Sequence, residues 1–450
     1  MEPPKNADHT TERLLYAKLS AHHRESFAFA TVSKRLPVIL TKVIDTVYKY
    51  RKDAQELHGQ QGAEDCKFIV GKLSALKNYM QTDKALEKLT DDREDVELWN
   101  GYLDDETERC GGDKPRWFKS AWLYVECYMY RAITEAITLS QCLKTFDPFS
   151  DQKQTALLSS LDAVCTLTSY LDEAVKAPAS FEKFADILQI SLWGNKCDLS
   201  ISAGIENSQK ISPVAQLATL QPYILADNIH QVWQTLCGAK ASQISPDKKV
   251  RLDIVLDNAG FELLTDLVLV DYLLQVSLID EAHFHLKAMP WFVSDVVRFD
   301  WDWTLQQLQE NKDAAVSSLG QRFQDRLRSG VCILHDHLFW TTCYDFCDMK
   351  VVAPELYQEL SNTDLLLFKG DLNYRKLVAD RSWPHTTSFE DALCGFHPAP
   401  LCTLRTLKCD TVVGLKEGLS EKKEAEDKDW MVTGQNAVIQ FCNKIVQLSP

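Results

Sequence analysis

The chain has 450 residues, 45% of them hydrophobic, and a formal net charge of −15. This length accommodates two or three domains, or one large α/β enzyme with a helical addition. The acidic balance disfavours nucleic acid and anionic membrane surfaces as main partners. It leaves phosphate binding open, because local lysines, arginines or a metal ion can reverse the field inside a cleft.

The fourteen cysteines point to a reducing compartment. They are scattered from Cys66 to Cys442 without any C-x-x-C pair, so zinc ribbons and thioredoxin-like sites lack support. The first residues lack an apolar secretory core, and no stretch approaches the ~18 apolar residues of a membrane span. We therefore expect a cytoplasmic or nuclear protein with no membrane span. The aromatic-rich first half would allow a protein partner, but no motif indicates one.

The first part of the chain has a helical pattern. From about Ser33 to Leu188, apolar residues recur at the three- and four-residue spacings of amphipathic helices. The strongest helical segments are residues 36–52, 66–89, 120–143 and 155–175. We therefore predict a helical N-terminal domain over residues 1–190, in which the polar residues 1–18 are frayed.

Beyond residue 190 a turn is predicted at residues 193–198, and short β-rich runs then alternate with helical ones. The β-rich runs are residues 254–256, 284–288, 365–368, 402–407 and 437–442. The helical runs are residues 261–276, 304–319 and 374–379. Such alternation is typical of a sheet with helices on both faces, so the predicted fold class is α/β, with a three-layer α/β/α, Rossmann-like domain over residues 191–450. The charged segment 416–429 is predicted to be a mobile loop.

Residues 252–266 have the pattern of a buried strand, a sharp turn and an amphipathic helix. The turn begins with Asp257 and Asn258, and the helix carries Glu262 and Asp266. Open α/β sheets bind ligands beyond the carboxyl ends of their strands. Three carboxylates with one carboxamide suit a hard divalent cation such as Mg²⁺ or Mn²⁺. The alternative is an ordinary strand-to-helix turn, in which Asn258 caps the helix and the acidic residues are solvated.

Residues 365–376 repeat this order of apolar strand, glycine turn and helix start. Asp371, Asn373 and Arg375 lie at the predicted start of the helix. Free N–H groups at a helix N-terminus bind anions, so a phosphate or a sugar hydroxyl is the natural guest. The alternative is a helix cap with solvated basic residues.

Lys408 lies just after another β-rich run. The strand period places it on one side with Thr406 and Asp410, and Arg405 on the other side. Lys408 is either a point charge for a phosphate or a solvated lysine on an edge strand.

Asp295 follows the β-rich run 284–288, which puts a further carboxylate beyond a strand end. Nearby, residues 300–304 fit the D-x-D-x-T spacing of haloacid-dehalogenase-type phosphatases, in which the first Asp is the nucleophile. That motif needs a hydrophobic strand directly before it. Arg298 and Phe299 do not supply one, so this interpretation is disfavoured.

Two histidine pairs, His283 with His285 and His335 with His337, have the two-residue spacing that shares one face of a strand. No third ligand stands at a recognisable spacing, so ordinary core or surface histidines are favoured over a metal site. The motifs G-x-x-x-x-G-K-[ST], G-x-S-x-G and G-x-G-x-x-G do not occur in the sequence, which disfavours P-loop chemistry, serine hydrolysis and dinucleotide binding.

Taken together, these segments resemble the metal-dependent damage-control phosphatase family. The resemblance is to its third subfamily, also described as acidic-residue or protein-glutamate methyltransferase-like. It rests on residues 257–262, 293–295 and 368–376, the Arg-Thr-x-Lys motif at 405–408, and residues 117–118, 122–131 and 192–200. It covers nearly the whole chain, and the motifs are specific jointly rather than singly.

The resemblance implies a helical N-terminal region packed on an α/β domain, and one bound divalent cation, Mn²⁺, Ni²⁺, Co²⁺ or Mg²⁺. The residues that match the metal ligands and the catalytic positions are Asp257, Asn258 and Asp295. The residues that match substrate contacts are Asp257, Asn258, Asp371, Asn373, Arg375 and Lys408.

The implied activity is hydrolysis of small phosphometabolites such as fructose 1-phosphate and fructose 6-phosphate, which removes stray, reactive sugar phosphates. Asp257 and Asp295 would neutralise the cation, and Asn258 would add a ligand without a third negative charge. Arg375 and Lys408 would offset the phosphate dianion. Asp257 as general base or nucleophile and a purely metal-activated water both stay open.

Two other functions are compatible with the sequence. The same subfamily is credited with S-adenosylmethionine-dependent methylation of protein glutamate, although the turn at residues 256–262 has a single glycine where close cofactor approach usually needs more. A non-catalytic metabolite sensor would bind metal and sugar phosphate without turnover.

Overall fold

The computed structural model describes residues 16–202, 213–243 and 248–445, with the side chains of 195–202 and 213–215 left aside. Within these ranges lies a seven-stranded sheet with the strand order β1-β7-β6-β5-β2-β3-β4. The strands are β1 Ile224–Asp227, β2 Arg251–Val255, β3 Glu281–His285, β4 Cys332–His335, β5 Leu365–Lys369, β6 Leu401–Thr406 and β7 Ala437–Cys442.

The directions of the strands create a ligand-binding edge. Strands β2 to β6 are mutually parallel, whereas β7 is antiparallel to β6 and parallel to β1. The chain continues from β2 to β3 and β4 on one side, and from β5 to β6 on the other. Neighbouring β2 and β5 therefore form a topological switch point, where open α/β sheets form a crevice at their carboxyl ends.

Helices surround this sheet and make up most of the N-terminal part. In the described residues they are α1 Phe27–Ala30, α2 Leu36–Gln81, α3 Val96–Arg109, α4 Trp122–Thr138, α5 Ser150–Ser159, α6 Leu161–Ala174, α7 Phe181–Ser202, α8 Pro213–Leu220, α9 Ile229–Ala241, α10 Phe261–Gln275, α11 Arg298–Gln309, α12 Ala314–Ser329, α13 Met349–Val352, α14 Pro354–Leu360, α15 Gly370–Leu377, α16 Phe389–Ala392 and α17 Leu419–Glu426. None of the helices described here has the length and apolarity needed to cross a membrane.

Three hydrophobic cores hold the layers together. One face of the sheet packs on α6, α7 and α10 to α12. The opposite face packs on the segment that runs from the 3₁₀ helix Leu338–Thr341 to α15. The N-terminal helices have a core of their own, which also contains Trp291 and Leu372 from the α/β part. This arrangement confirms the predicted α/β fold class with a helical N-terminal region. The boundary at residue 190 stays a prediction, and α6 and α7 before and across it pack against the sheet.

Several local predictions were wrong. The turn predicted at residues 193–198 lies inside α7, and the predicted charged loop contains the exposed helix α17. The helical run 304–319 is split into α11 and α12, because the Asp313 side chain accepts from the N–H groups of Ala315 and Val316 and starts a new helix. Strands β1 and β4 were missed.

Residues 16–18 contact the α/β part of the protein, whereas the sequence predicted that residues 1–18 are frayed. Residues 1–15 lie outside the described part of the chain. Beyond them, the Leu19 N–H donates to the Asp380 carbonyl at 2.8 Å, and Lys18 pairs with Arg381 in a β-bridge. Residues 16–18 therefore begin in contact with the α/β part.

Candidate active site

The turn after β2 places two predicted ligands beside each other. Asp257 is 9% exposed, and its Oδ2 accepts from Asn258 Nδ2 at 2.7 Å. The same Nδ2 donates to Glu262 Oε2 at 2.8 Å, and the Ser294 hydroxyl donates to Asn258 Oδ1. Gly260 occupies the N-cap position of the helix that follows, α10. No side chain accepts a capping hydrogen bond from the first N–H groups of this helix. The alternative of Asn258 as a helix cap is therefore wrong.

Asp295 is brought to the same place by backbone pairing. Asp295 forms a β-bridge with Asn258, and the Val296 N–H donates to the Asp257 carbonyl at 2.9 Å. The preceding residues Phe292 and Val293 have φ angles of +42° and +71°, in the left-handed region that bulky and β-branched residues strongly avoid. Such strain is typical of functional sites, where the surrounding structure imposes it.

Burial and like charge shape this carboxylate pair. The pKa of Asp257 is held well above its usual value, by burial first and then by the nearby charges of Glu262 and Asp295. Burial also raises the pKa of Asp295 to about 6, although Lys287, 3.3 Å from its Oδ2, opposes the shift. The same Oδ2 is paired with the Lys287 ammonium and makes no other polar contact with the described residues. Two crowded, buried carboxylates fit a bound cation.

Gly370 lets the end of β5 approach the Asp257 side chain. Its φ angle is +85°, and a Cβ added there would lie 1.9 Å from Asp257 Oδ2. No other residue fits this position without displacing the carboxylate. Gly370 therefore both forms the predicted turn and allows the backbone at the end of β5 to lie against the Asp257 carboxylate.

Asp371 is held as an ion by the Arg-Thr-x-Lys segment. Its Oδ1 accepts from Arg405 Nε at 2.8 Å and from the Lys408 N–H at 3.1 Å. Burial alone would raise its pKa, but the charges of Arg405 and Arg375 outweigh burial and hold the pKa below its usual value. The Arg405 guanidinium lies 4.0 Å over the Tyr374 ring. Arg405 thus orients Asp371, and the Lys408 side chain lines the cavity.

Arg375 has its charge balanced within the protein. It is 3% exposed and donates to Asp380 at 2.8 and 3.0 Å and to Glu126 at 2.8 Å. Its guanidinium also lies 3.8 Å over the Trp122 ring. Two carboxylates therefore share one guanidinium, which ties α4 to α15 and leaves little net charge for a ligand.

Asn373 is the predicted site residue that stays outside the cavity. Its Nδ2 donates to the carbonyl oxygens of Val255, Leu256 and Lys369, at 3.4, 3.3 and 2.8 Å. It therefore ties together the carboxyl ends of β2 and β5, at the position where the sheet forms its crevice.

One cavity of about 250 Å³ brings the other six predicted residues together. Asp257, Asn258, Asp295, Asp371, Arg375 and Lys408 all line it. The sequence did not identify its further lining residues, which are Arg35, Trp122, Glu126, Phe292, Ser294, Leu372 and Cys409. Trp122 and Glu126 lie within a segment of the family resemblance, whereas Arg35 had no sequence signal. The helical region thus supplies one wall.

Glu262 and Asp266, the other acidic residues of segment 252–266, make hydrogen bonds behind the cavity. Glu262 bonds Asn258, and Asp266 accepts from Lys369 Nζ at 2.6 Å and from the Ser191 hydroxyl at 2.6 Å. Neither lines the cavity. They hold the turn and the Lys369 ammonium, and the solvated alternative for both is wrong, since they are 6% and 1% exposed.

The remaining candidate segments lie elsewhere. Asp300 is in α11, where it accepts from the Val297 N–H at 3.0 Å and pairs with Lys153 at 2.5 Å, so no strand precedes it and the D-x-D-x-T interpretation fails. A larger cavity of about 1070 Å³ is lined by mixed acidic and basic residues, among them Lys287, but not by the carboxylate pair.

Two other groups of side chains among the described residues could hold a metal ion. One is His283, His335 and Glu359, and the other is Asp345, Cys347 and Asp348; in each group the ligand atoms lie within 4.8 Å of one another. Neither group lines the candidate cavity. The sequence favoured ordinary histidines over a metal site at these positions; the structure joins His283 of β3 to His335 of β4 by a hydrogen bond of 2.9 Å, with Glu359 as the third member of the group.

Comparisons with known proteins agree with this architecture. A family model described as "Damage-control phosphatase ARMT1-like domain" matches residues 31–423. Damage-control phosphatase ARMT1 of Danio rerio is 47% identical over 94% of this chain and 96% of its own length. The protein of the same name from Xenopus tropicalis is 46% identical over 95% of this chain and 99% of its own.

A solved structure of a DUF89 family protein from Pyrococcus horikoshii is also similar, with 14% identity and a TM-score of 0.40 over 79% of this chain and 93% of that chain. The family model and the two ARMT1 relatives cover nearly the whole chain. The chain belongs to the ARMT1-like damage-control phosphatase family.

Proposed function

We propose that this phosphatase hydrolyses small sugar phosphates, of the fructose 1-phosphate and fructose 6-phosphate type, with a divalent cation. The observation that carries the proposal is the composition of the 250 Å³ cavity, where a buried carboxylate pair and the cation Lys408 line the same space. A space of this size suits a compact phosphorylated metabolite. It lies below the ~300–1,000 Å³ typical of pockets for larger ligands.

Asp257, Asn258 and Asp295 would hold the cation. Their oxygens suit Mn²⁺, Ni²⁺, Co²⁺ or Mg²⁺, and Asp295 would share its carboxylate between the cation and the Lys287 ammonium. A bound cation would supply the Lewis acidity that phosphoryl transfer to water requires. Ser294 and Glu262 would orient the Asn258 amide through their hydrogen bonds to it.

The substrate would be held by the opposite wall. Lys408 would place a positive charge against the phosphate. Arg375, which stays paired with Glu126 and Asp380, would line the same wall as a secondary cation. Asp371, ionised and fixed by Arg405, would accept hydrogen bonds from sugar hydroxyls. Asn373 would contribute by holding the strand ends.

A phosphate-release assay tests the proposal. The purified protein is incubated with both fructose phosphates and each of the four metals, and we expect release that stops when a chelator is added. Asp257→Ala should lower turnover by at least about 10²-fold, because both charge and positioning are lost. The matched control is Asp302→Ala, since Asp302 is an exposed aspartate on α11 whose ion-pair partner within the described residues is Arg298.

Two results would contradict the proposal. Full activity of Asp257→Ala, with the fold intact by circular dichroism, would remove the assigned site. Wild-type protein that releases no phosphate from either substrate with any of the four metals would refute the proposed substrate class.

Methylation of protein glutamate stays a prediction of the family resemblance. The cavity does not favour it, because its volume of about 250 Å³ is below the ~300–1,000 Å³ typical of pockets for ligands of the size of S-adenosylmethionine. Calorimetric titration with S-adenosylmethionine tests this function directly, and the absence of binding heat would end it.

A further inference from the structure

Arg35 enters the cavity from an unusual piece of backbone. It is the last residue of a π-helical turn, Thr31–Arg35, which joins α1 to α2. Such turns are rare and frequently lie at functional sites. Thr31, Val32 and Leu36 are 2%, 0% and 0% exposed, so the backbone on both sides of Arg35 is anchored in the helical core. The Arg35 side chain itself is exposed and lines the cavity.

The cations around the cavity differ in whether their charge is balanced. Arg375 is bound by Glu126 and Asp380, and Arg405 is bound by Asp371. For Arg35 and Lys408, by contrast, the described residues provide no ion-pair partner. These two side chains therefore carry the positive charge that the cavity can offer to an anion.

Arg35 lines the same cavity as the carboxylate pair Asp257 and Asp295. Phe292, another lining residue, stacks on Tyr130 of the helical region, with the ring centroids 4.6 Å apart. Because Arg35 is exposed whereas Asp257 and Asp295 are 9% and 1% exposed, it stands at the open end of the cavity.

We propose that Arg35 forms, with Lys408, an anion subsite that binds the outward-facing oxygens of the substrate's phosphate. The planar guanidinium can donate two parallel hydrogen bonds to a phosphate, whereas Lys408 acts as a point charge. The N-terminal helical region would thereby control substrate affinity, through a residue whose place is fixed by the π-helical turn. This inference rests on the proposed phosphatase function and adds a residue to its substrate site.

The test compares Arg35→Gln with Arg35→Lys and with Lys34→Gln. Lys34 is the exposed neighbouring cation that does not line the cavity, so Lys34→Gln controls for surface charge. We expect Arg35→Gln to raise KM for fructose 1-phosphate by roughly 10- to 100-fold, with a smaller change in kcat. Arg35→Lys should recover part of the loss, and Lys34→Gln should match the wild type.

Two further measurements separate the possible outcomes. If Arg35 binds the phosphate, hydrolysis of p-nitrophenyl phosphate is impaired as much as that of the sugar phosphate. Unimpaired p-nitrophenyl phosphate hydrolysis would overturn the phosphate contact and place Arg35 at the sugar. Calorimetric binding of inorganic phosphate should weaken in Arg35→Gln, and this readout does not depend on turnover.

Failure of this inference is distinct from failure of the proposed function. Wild-type protein without phosphatase activity refutes the proposed function, and its phosphate binding still reports on Arg35. An active wild type, with an Arg35→Gln variant within twofold of it in KM and in phosphate affinity, refutes the subsite alone.

Discussion

Gly370→Ala should inactivate the enzyme while leaving most of its stability. The new Cβ would lie 1.9 Å from Asp257 Oδ2 and 2.8 Å from Asp257 Cβ, so the carboxylate must move. A displacement of about 1 Å in a catalytic group can cost 10²-fold in rate. The φ angle of +85° adds roughly 1–2 kcal/mol of backbone strain for a residue with a Cβ.

The matched control is Gly395→Ala. Gly395 has a φ angle of +86°, and its added Cβ would meet nothing within 4 Å. Both variants carry similar backbone strain, whereas only Gly370→Ala displaces Asp257, so only Gly370→Ala should lose kcat/KM for the sugar phosphate. Wild-type kcat/KM in Gly370→Ala, or an equal loss in Gly395→Ala, would show that the close approach to Asp257 does not matter for activity.

Two further predictions concern stability. Glu126→Gln removes one of the two carboxylates on Arg375, and since Asp380 remains we expect a loss of about 1–3 kcal/mol in the free energy of unfolding; an unchanged urea midpoint would contradict this. Burial, followed by the charges of His285 and His283, lowers the pKa of His335 to about 4 from its usual 6.5. Between pH 6.5 and pH 4 the unfolded chain therefore binds a proton at His335 that the folded protein does not bind. As the pH falls from 6.5 to 5, the free energy of unfolding should decrease by about 1–2 kcal/mol. His335→Gln should flatten this pH dependence in thermal melts, and an unaltered slope would refute the assignment.

The carboxyl end of β2 shows what local sequence could predict. An apolar run that ends abruptly in Asp257 and Asn258 has a strand period and a polar terminus, and both are local properties. The five predicted β-rich runs all overlap strands, and the clearest of them, at β5, is a continuous apolar run because that strand is buried on both faces. Strands β1 and β4 were missed although each contains a short apolar run, Ile224–Ala226 and Cys332–Leu334; their residues are mainly half-buried or exposed in the sheet.

Long-range pairing decided how the predicted residues are used. Arg375 had the composition of a phosphate ligand, but Glu126, 249 residues away in the chain, binds its guanidinium. Asn373 had the position of a substrate ligand, but its amide is used by the strand ends. Neither outcome follows from spacing, because the partners come from other elements.

By itself the sequence determined the alternation of strands and helices, the polar strand ends and the cluster of residue types that suits a cation and a phosphate. These features depend on periodicity and on neighbouring residues. Only the tertiary structure decided that Arg35, from a π-helical turn in the N-terminal region, lines the cavity formed by β2, β5 and β6. The physical reason is that the packing of the helical core onto the sheet, rather than any local pattern, sets the place of a side chain from a distant helix.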